Sequence, residues 1–378
     1  MLFSIQVCSY KQENVTSGNQ NQRTPKLQRN YSSCTPNDYF CFLMKVRHYT
    51  IPVFVPELAC PNRCVFCNQR NISDTLCQPT DKEIHVIIEN RIATIPECSE
   101  VEIGFFGGNF TGIALTEQEH FLNIVQPYLR SCQVSFIRVS TRPDYIDQER
   151  LDLLKRNNVR TIELGAQSLD EEVLQLTGRG HTVEEVRKAS RMILDNGFLL
   201  GLQMMIGLPG DTPEKSLQTA SEIVQFGATS TRIYPTLVIK DTELETLYHQ
   251  RKYVTLTIED AVAWAKEVVL FFEFSGVKII RLGLHPSEGL LQGHNLVAGP
   301  FHVSFAELVY TEIWNDLLKQ LTETDMEANL SIAVAEGKVN AAVGYGGKNR
   351  DMLKRFVQCI KFHVDPGLEG RAFRVDIC

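Results

Sequence analysis

A chain of 378 residues can bury a large core and exceeds the length at which one core stops growing, so one large domain plus an appendage is expected. Its 43% hydrophobic and 22% charged residues are ordinary for a globular protein, and no apolar run is long enough to span a bilayer as a helix, which predicts no membrane partner. A net charge of −7 argues against a general nucleic-acid binder, and eleven cysteines without paired spacing do not make a secreted disulfide framework, which predicts a cytoplasmic location.

Residues 1–43 are rich in Asn, Gln, Ser and Thr, lack apolar periodicity and are expected to be a disordered leader with no part in the chemistry. Residues 44–299 read as one core domain. IPVFVP is its first strand, and the run LACPNRCVFCNQR follows, placing Cys60, Cys64 and Cys67 at C-x3-C-x2-C spacing. Three thiolates so spaced can hold three corners of a cubane iron–sulfur cluster and leave one iron open to a small chelating molecule. The rival is a closed four-ligand zinc site completed by Cys77, although only one C-x2-C knuckle is present. VEIGFF, VSFIRVS, RTIELGA, LLGLQMMIG and TSTRIYP read as further buried parallel strands. Helices with legible starts separate them: Thr182 with Glu185 predicts a capping box and Gly197 the stop, Pro213 suits a first helical position, and Thr257 with Asp260 opens a helix running to Gly276. Six strand–helix units predict an α/β fold, a partial (β/α)6 TIM barrel, whose chemistry should collect at the C-terminal ends of the strands.

Residues 300–378 read as a small C-terminal α+β unit: a helix over Leu308–Leu321, a strand in SIAVAE, a Gly-rich turn in NAAVGYGGKNR and a basic helix over Asn349–Ile360. Residues 338–378 carry eight Lys/Arg against four Asp/Glu, a net +4 that leaves −11 on the rest and reads first as a solvated helix face.

From Ile51 to Leu290 the chain resembles the core of the radical S-adenosylmethionine (SAM) enzymes, and specifically that of the Elongator catalytic subunit and its bacterial relatives. CPNRCVFCNQ, FFGGNFTG, STRPDYI, IELGAQSLDEEVL, GRGHTVEEV, MMIGLPGDT and RIYPTLVIKDTEL carry the resemblance in the family order. It implies an enzyme that binds a single [4Fe–4S] cluster through Cys60, Cys64 and Cys67 and reductively cleaves SAM to a 5′-deoxyadenosyl radical. It also implies an external electron donor such as flavodoxin or ferredoxin, and a reducing compartment for the oxygen-sensitive cluster.

For the cofactor, the resemblance implies contacts from Phe66 near the adenine and from Gly107 and Gly108 at the methionyl amino group. Asn109 stands next, where many relatives carry Glu or Thr. Ser140 and Arg142 are implied at the ribose or carboxylate, and Gln167, Arg179 and Gln203 at the barrel mouth. Arg232 and Tyr234 would face the substrate, and His285 reads as a packed histidine. About 80 residues follow the core, too few for the acetyltransferase domain of the Elongator subunit, so a tRNA substrate is expected only by analogy. The alternatives are an enzyme like oxygen-independent coproporphyrinogen dehydrogenase, whose further cysteine is replaced here by Gln69, and a non-catalytic zinc or RNA-binding protein.

Overall fold

The computed structural model describes residues 47–55, 64–68, 78–284, 288–322 and 329–377. Its centre is a sheet of seven strands, all parallel: β1 (His48–Phe54), β2 (Glu100–Phe106), β3 (Phe136–Thr141), β4 (Val159–Gln167), β5 (Leu199–Ile206), β6 (Ser230–Pro235) and β8 (Lys278–Leu282). Neighbours in space follow chain order and the two ends do not pair, so the sheet curls into an open half-barrel. Two short strands, β7 (Val238–Ile239) and β9 (Leu296–Ala298), pair with each other outside it.

Parallel strands need long crossovers, and helices supply them. They are α1 (Asp81–Ile92), α2 (Leu115–Arg130), α3 (Gln148–Arg156), α4 (Glu171–Leu176), α5 (Val183–Asp195), α6 (Pro213–Gln225), α7 (Glu243–His249) and α8 (Ile258–Phe274). The start signals act as read: Thr182 and Glu185 cap α5 reciprocally, and Thr212 caps α6 with Pro213 at its first position. Gly197 stops α5 with φ +84°. Thr80 and Glu83 make a second capping box, on α1.

The sequence pattern places no element between the helix running to Gly276 and residue 300, so the seventh strand, β8, is an addition. KIIRL is short, begins and nearly ends on a cation, and lies between Gly276 and Gly283, so its apolar content is too small to stand out.

The two faces of the sheet differ in kind. One face packs on the helices and is mostly apolar, with Ile51, Ile103, Val139, Leu164, Leu202 and Ile233 in the main core. The other carries, at every second position, Glu102 and Gly104, Arg138 and Ser140, Glu163 and Gly165, Gly201 and Gln203, Arg232 and Tyr234. Ordinary TIM barrels fill this interior with bulky branched side chains. Here charges and glycines line it, and the glycines make room: a Cβ on Gly201 would lie 2.9 Å from Glu163 Cγ, and one on Gly165 would lie 2.9 Å from Arg179 Nη2.

Helix α9 (Glu288–Leu291) precedes β9, and α10 (Phe305–Lys319), α11 (Val339–Val343) and α12 (Lys348–Leu353) follow it, with a three-stranded sheet in the order β11 (Cys359–Val364), β10 (Asn329–Val334), β12 (Phe373–Ile377). The basic helix expected to reach Ile360 stops at Leu353, because CIKFHV alternates with a period of two and pairs parallel to β10. Helix α10 serves two cores: Phe305, Val309 and Ile313 join the main one, while Trp314 and Leu318 pack with Ile332, Val334 and Leu353 of the small unit.

Candidate active site

Cys64–Asn68 lies over the loops that leave the C-terminal ends of the strands. Val65 N–H donates to Thr177 O at 3.0 Å, after α4, and Leu244 N–H donates to Val65 O at 2.8 Å, in α7. Cys64, Val65 and Phe66 are buried in a small apolar cluster with Val173, Leu208, Val238 and Leu244, so Phe66 has a packing role whatever else it meets. Cys67 N–H donates to Cys64 O at 2.9 Å, a tight turn that sets the two thiols on one loop. Among the described residues no further His, Cys, Asp or Glu completes a metal-binding group with them. Cys60 and Cys77 lie outside the described residues, as does His285.

The donor set suits an iron–sulfur cluster. Thiolates are the ligands such clusters use, and a buried cation meets one of the two: Arg179 Nη1 donates to Cys64 Sγ at 3.3 Å. Arg179 is 7% exposed, its Nη2 donates to Gly165 O at 2.6 Å, and its Nε has no partner among the described residues. It projects from a turn bounded by Gly178 and Gly180, both at positive φ (+60° and +75°), a conformation glycine enters without the Cβ penalty.

Arg142, 1% exposed, follows β3 and turns its fork inward: Nε and Nη2 reach the Asp144 carboxylate at 2.9 and 3.0 Å, and Nη2 also reaches Arg179 O at 2.9 Å. Asn109 braces the same strand end, its Oδ1 accepting from Thr141 Oγ1 at 2.7 Å and from Arg142 N–H at 3.3 Å. His181 is buried beside these two arginines. Burial first, then the charges of Arg179 and Arg142, push its pKa down to about 3, so the ring is neutral at any physiological pH.

Gly107 and Gly108 follow β2 with φ of +101° and +107°. A Cβ on Gly107 would lie 2.5 Å from Val55 O, so the fold itself demands glycine there. Gln167 takes φ +68° where the β4–β5 register slips, a strained conformation for a non-glycine residue of the kind that collects at functional sites.

Gln203, an amide inside an apolar run, is satisfied by protein: Nε2 donates to Ser140 Oγ at 3.0 Å and to Glu163 Oε2 at 2.8 Å. Arg232 is held by Glu163 (Nε at 2.7 Å, Nη2 at 3.1 Å) over the Phe106 ring at 4.9 Å, with the Tyr234 hydroxyl beside it.

Sequence reasoning missed the charged network that organises these residues. Glu163, 1% exposed, also takes Arg138 Nη1 at 2.5 Å, and Arg138 Nε reaches Glu102 at 2.7 Å. Burial raises the Glu163 carboxyl, but Arg232, Arg138 and Gln203 outweigh it and hold the pKa below the usual range. For Glu102, burial is likewise the largest influence, yet His48, Arg138 and Thr50 bring it down to about 2. The signal was available: a charge at one position and Gly, Ser or Tyr two residues on recurs in VEIGFF, FIRVS, IELGA and TRIYP.

Two family models match consecutive stretches and together cover more than half of the chain: Radical SAM superfamily over residues 57–223 and Radical_SAM C-terminal domain over 228–315. The chain belongs to the radical SAM superfamily. It is similar to an uncharacterized protein of Methanocaldococcus jannaschii, 28% identical over 225 residues, 56% of this chain and 68% of that protein. It is also similar to the tRNA uridine(34) acetyltransferase of the same organism, 31% identical over 137 residues, which are 35% of this chain and only 25% of that enzyme. Among solved structures, Methanocaldococcus infernus Elp3 shares the fold, with a TM-score of 0.56 at 20% identity over 73% of this chain and 64% of that one. This radical SAM enzyme thus carries the superfamily's half-barrel with the cysteine loop at its strand ends. No helix of the described residues is long and apolar enough to cross a membrane.

Proposed function

We propose that this radical SAM enzyme holds one [4Fe–4S] cluster on Cys60, Cys64 and Cys67 and binds SAM at the open iron, above the strand ends. The seating of the Cys64–Cys67 loop on Thr177 and Leu244, over the polar side of the sheet, carries this reading. When bound, cluster and SAM together supply a 5′-deoxyadenosyl radical that takes a hydrogen atom from the substrate. The protein's own part is geometry and shelter from water.

Gly107 and Gly108 expose backbone at the end of β2 for the amino group of SAM. Gln167 and Arg179, whose Nε is unpartnered among the described residues, supply donors for its carboxylate or ribose. Phe66 lends an apolar surface, while Ser140 and Gln203 form the floor and Asn109 and Arg142 hold the β3 end and the Arg179 turn in place. Arg232, fixed by Glu163, and Tyr234 beside it face the substrate. An external donor of the flavodoxin or ferredoxin type delivers the electron, in the reducing cytoplasm. Similarity to a tRNA uridine(34) acetyltransferase supports tRNA as the substrate.

Anaerobic reconstitution, dithionite reduction and addition of SAM should release 5′-deoxyadenosine from the wild type and none from Cys64→Ala. Zinc without iron and sulfide in oxygen-free preparations overturns the reading. Comparison of modified nucleosides in tRNA from cells with and without the gene tests the substrate.

A further inference from the structure

Arg179 is an unusual buried charge. None of the ion pairs among the described residues includes it, although it is 7% exposed. Burying a guanidinium without a carboxylate costs several kcal/mol, so an anion must offset it. The group it meets is the Cys64 sulfur, at 3.3 Å from Nη1. A cysteine that ligates metal is a thiolate outright, and a cluster gains one further negative charge on reduction.

Residue 179 is also held at three points, one on its guanidinium and two on its backbone. Gly165 O accepts from Nη2 at 2.6 Å, Arg142 Nη2 donates to the Arg179 carbonyl at 2.9 Å, and Arg179 N–H donates to Leu174 O at 3.0 Å. Asp144 fixes Arg142 in turn. The cysteine loop itself is tied to the same turn through Val65 N–H and Thr177 O at 3.0 Å. Donor and acceptor therefore move as one body.

We infer that Arg179 is a positioning residue that tunes the cluster: through its fixed N–H···S bond to the Cys64 thiolate it raises the reduction potential and makes the electron easier to accept. Hydrogen bonds to cluster sulfurs and net charge are among the factors that set such potentials. Cation and donor both stabilise the reduced form more than the oxidised one, so the sign of the effect is fixed. This inference rests on the cluster reading above and assigns to one of its residues an electronic task that cofactor contact alone does not require.

The test is an anaerobic potentiometric titration followed by electron paramagnetic resonance of the reduced cluster, on the reconstituted full chain without SAM. Arg179→Gln and Arg179→Met should keep wild-type iron and sulfide yet become at least tenfold harder to reduce, a shift of about 59 mV to more negative potential. Arg179→Lys, which keeps the charge and loses the planar fork, should recover part of it. Loaded variants with wild-type midpoints overturn the inference and leave the cluster reading intact, whereas a wild type that assembles no cluster sinks that reading itself. Should the substitutions prevent loading, hyperfine spectra of the wild type grown on 15N-guanidinium arginine decide the matter. A nitrogen and exchangeable-proton coupling at the reduced cluster supports the bond, and its absence overturns it.

Discussion

Replacing Glu163 by Gln tests the charged interior most directly. Its carboxylate is 1% exposed and serves Arg138, Arg232 and Gln203 together. Arg138 keeps Glu102 at 2.7 Å when Glu163 is neutralised, but Arg232 loses its carboxylate. The expected cost is therefore that of one broken buried pair, about 3–5 kcal/mol, and not two. Removing both charges, in Glu163→Gln with Arg232→Met, should cost less than the two single changes summed, because no buried charge is stranded. The coupling should reach at least about 1.5 kcal/mol. In urea, with a slope of about 3 kcal/mol per molar, a loss of 4 kcal/mol moves the midpoint down by about 1.3 M without changing the slope. A midpoint shift below about 0.3 M for Glu163→Gln, or additivity of the two changes within about 0.5 kcal/mol, refutes the account of the lumen as a coupled network.

Three further outcomes are expected. The Glu102 pKa is depressed to about 2 from 4.5, so its contribution of about 3 kcal/mol is present above pH 4.5 and is lost as pH falls towards 2; Glu102→Gln should flatten the acid limb of a stability–pH curve over that window. Burial lifts Asp211 to about 6, against hydrogen bonds from Ser216, Gly207 and Thr212, so its ionisation weakens the fold as pH rises from about 4 through 6. The melting temperature of Asp211→Asn relative to wild type should accordingly climb across that range, and a constant difference would contradict the assignment. Gly107→Ala, with a Cβ 2.5 Å from Val55 O at φ +101°, should cost well above the roughly 1–3 kcal/mol of backbone strain that Gly197→Ala incurs, since Gly197 has φ +84° but open space around it. Equal denaturation midpoints for the two variants would show that Val55 yields.

The half-barrel was legible because apolar runs separated by capped helices state their own period. Thr182, Glu185, Pro213 and Gly197 did in space what their positions in the chain announced. The short strand Lys278–Leu282 escaped because two of its five residues are cations. The site was legible in part. Local motifs named Cys64, Gly107, Arg142 and Arg179, but the pairing of Arg138 with residues 36 and 25 positions away, and of Glu163 with Arg232, depends on strand register. A buried carboxylate in RTIELGA looks like a lapse in an apolar run until the neighbouring strands are set beside it. Arg142 shows the converse: its type suits a ligand's carboxylate, and the structure supplies one from Asp144, two residues on.

Helix α10 has one side on the barrel's helical layer and the other beneath the small sheet, and a Cβ on Gly283 would lie 3.0 Å from its Phe305 Cβ and 3.3 Å from the ring. A shared beam of this kind leaves no seam along which the two ends of the molecule can come apart separately. Heating should therefore melt barrel and sheet in a single step, and a chain cut between β9 and α10 would forfeit part of the larger core along with the smaller one.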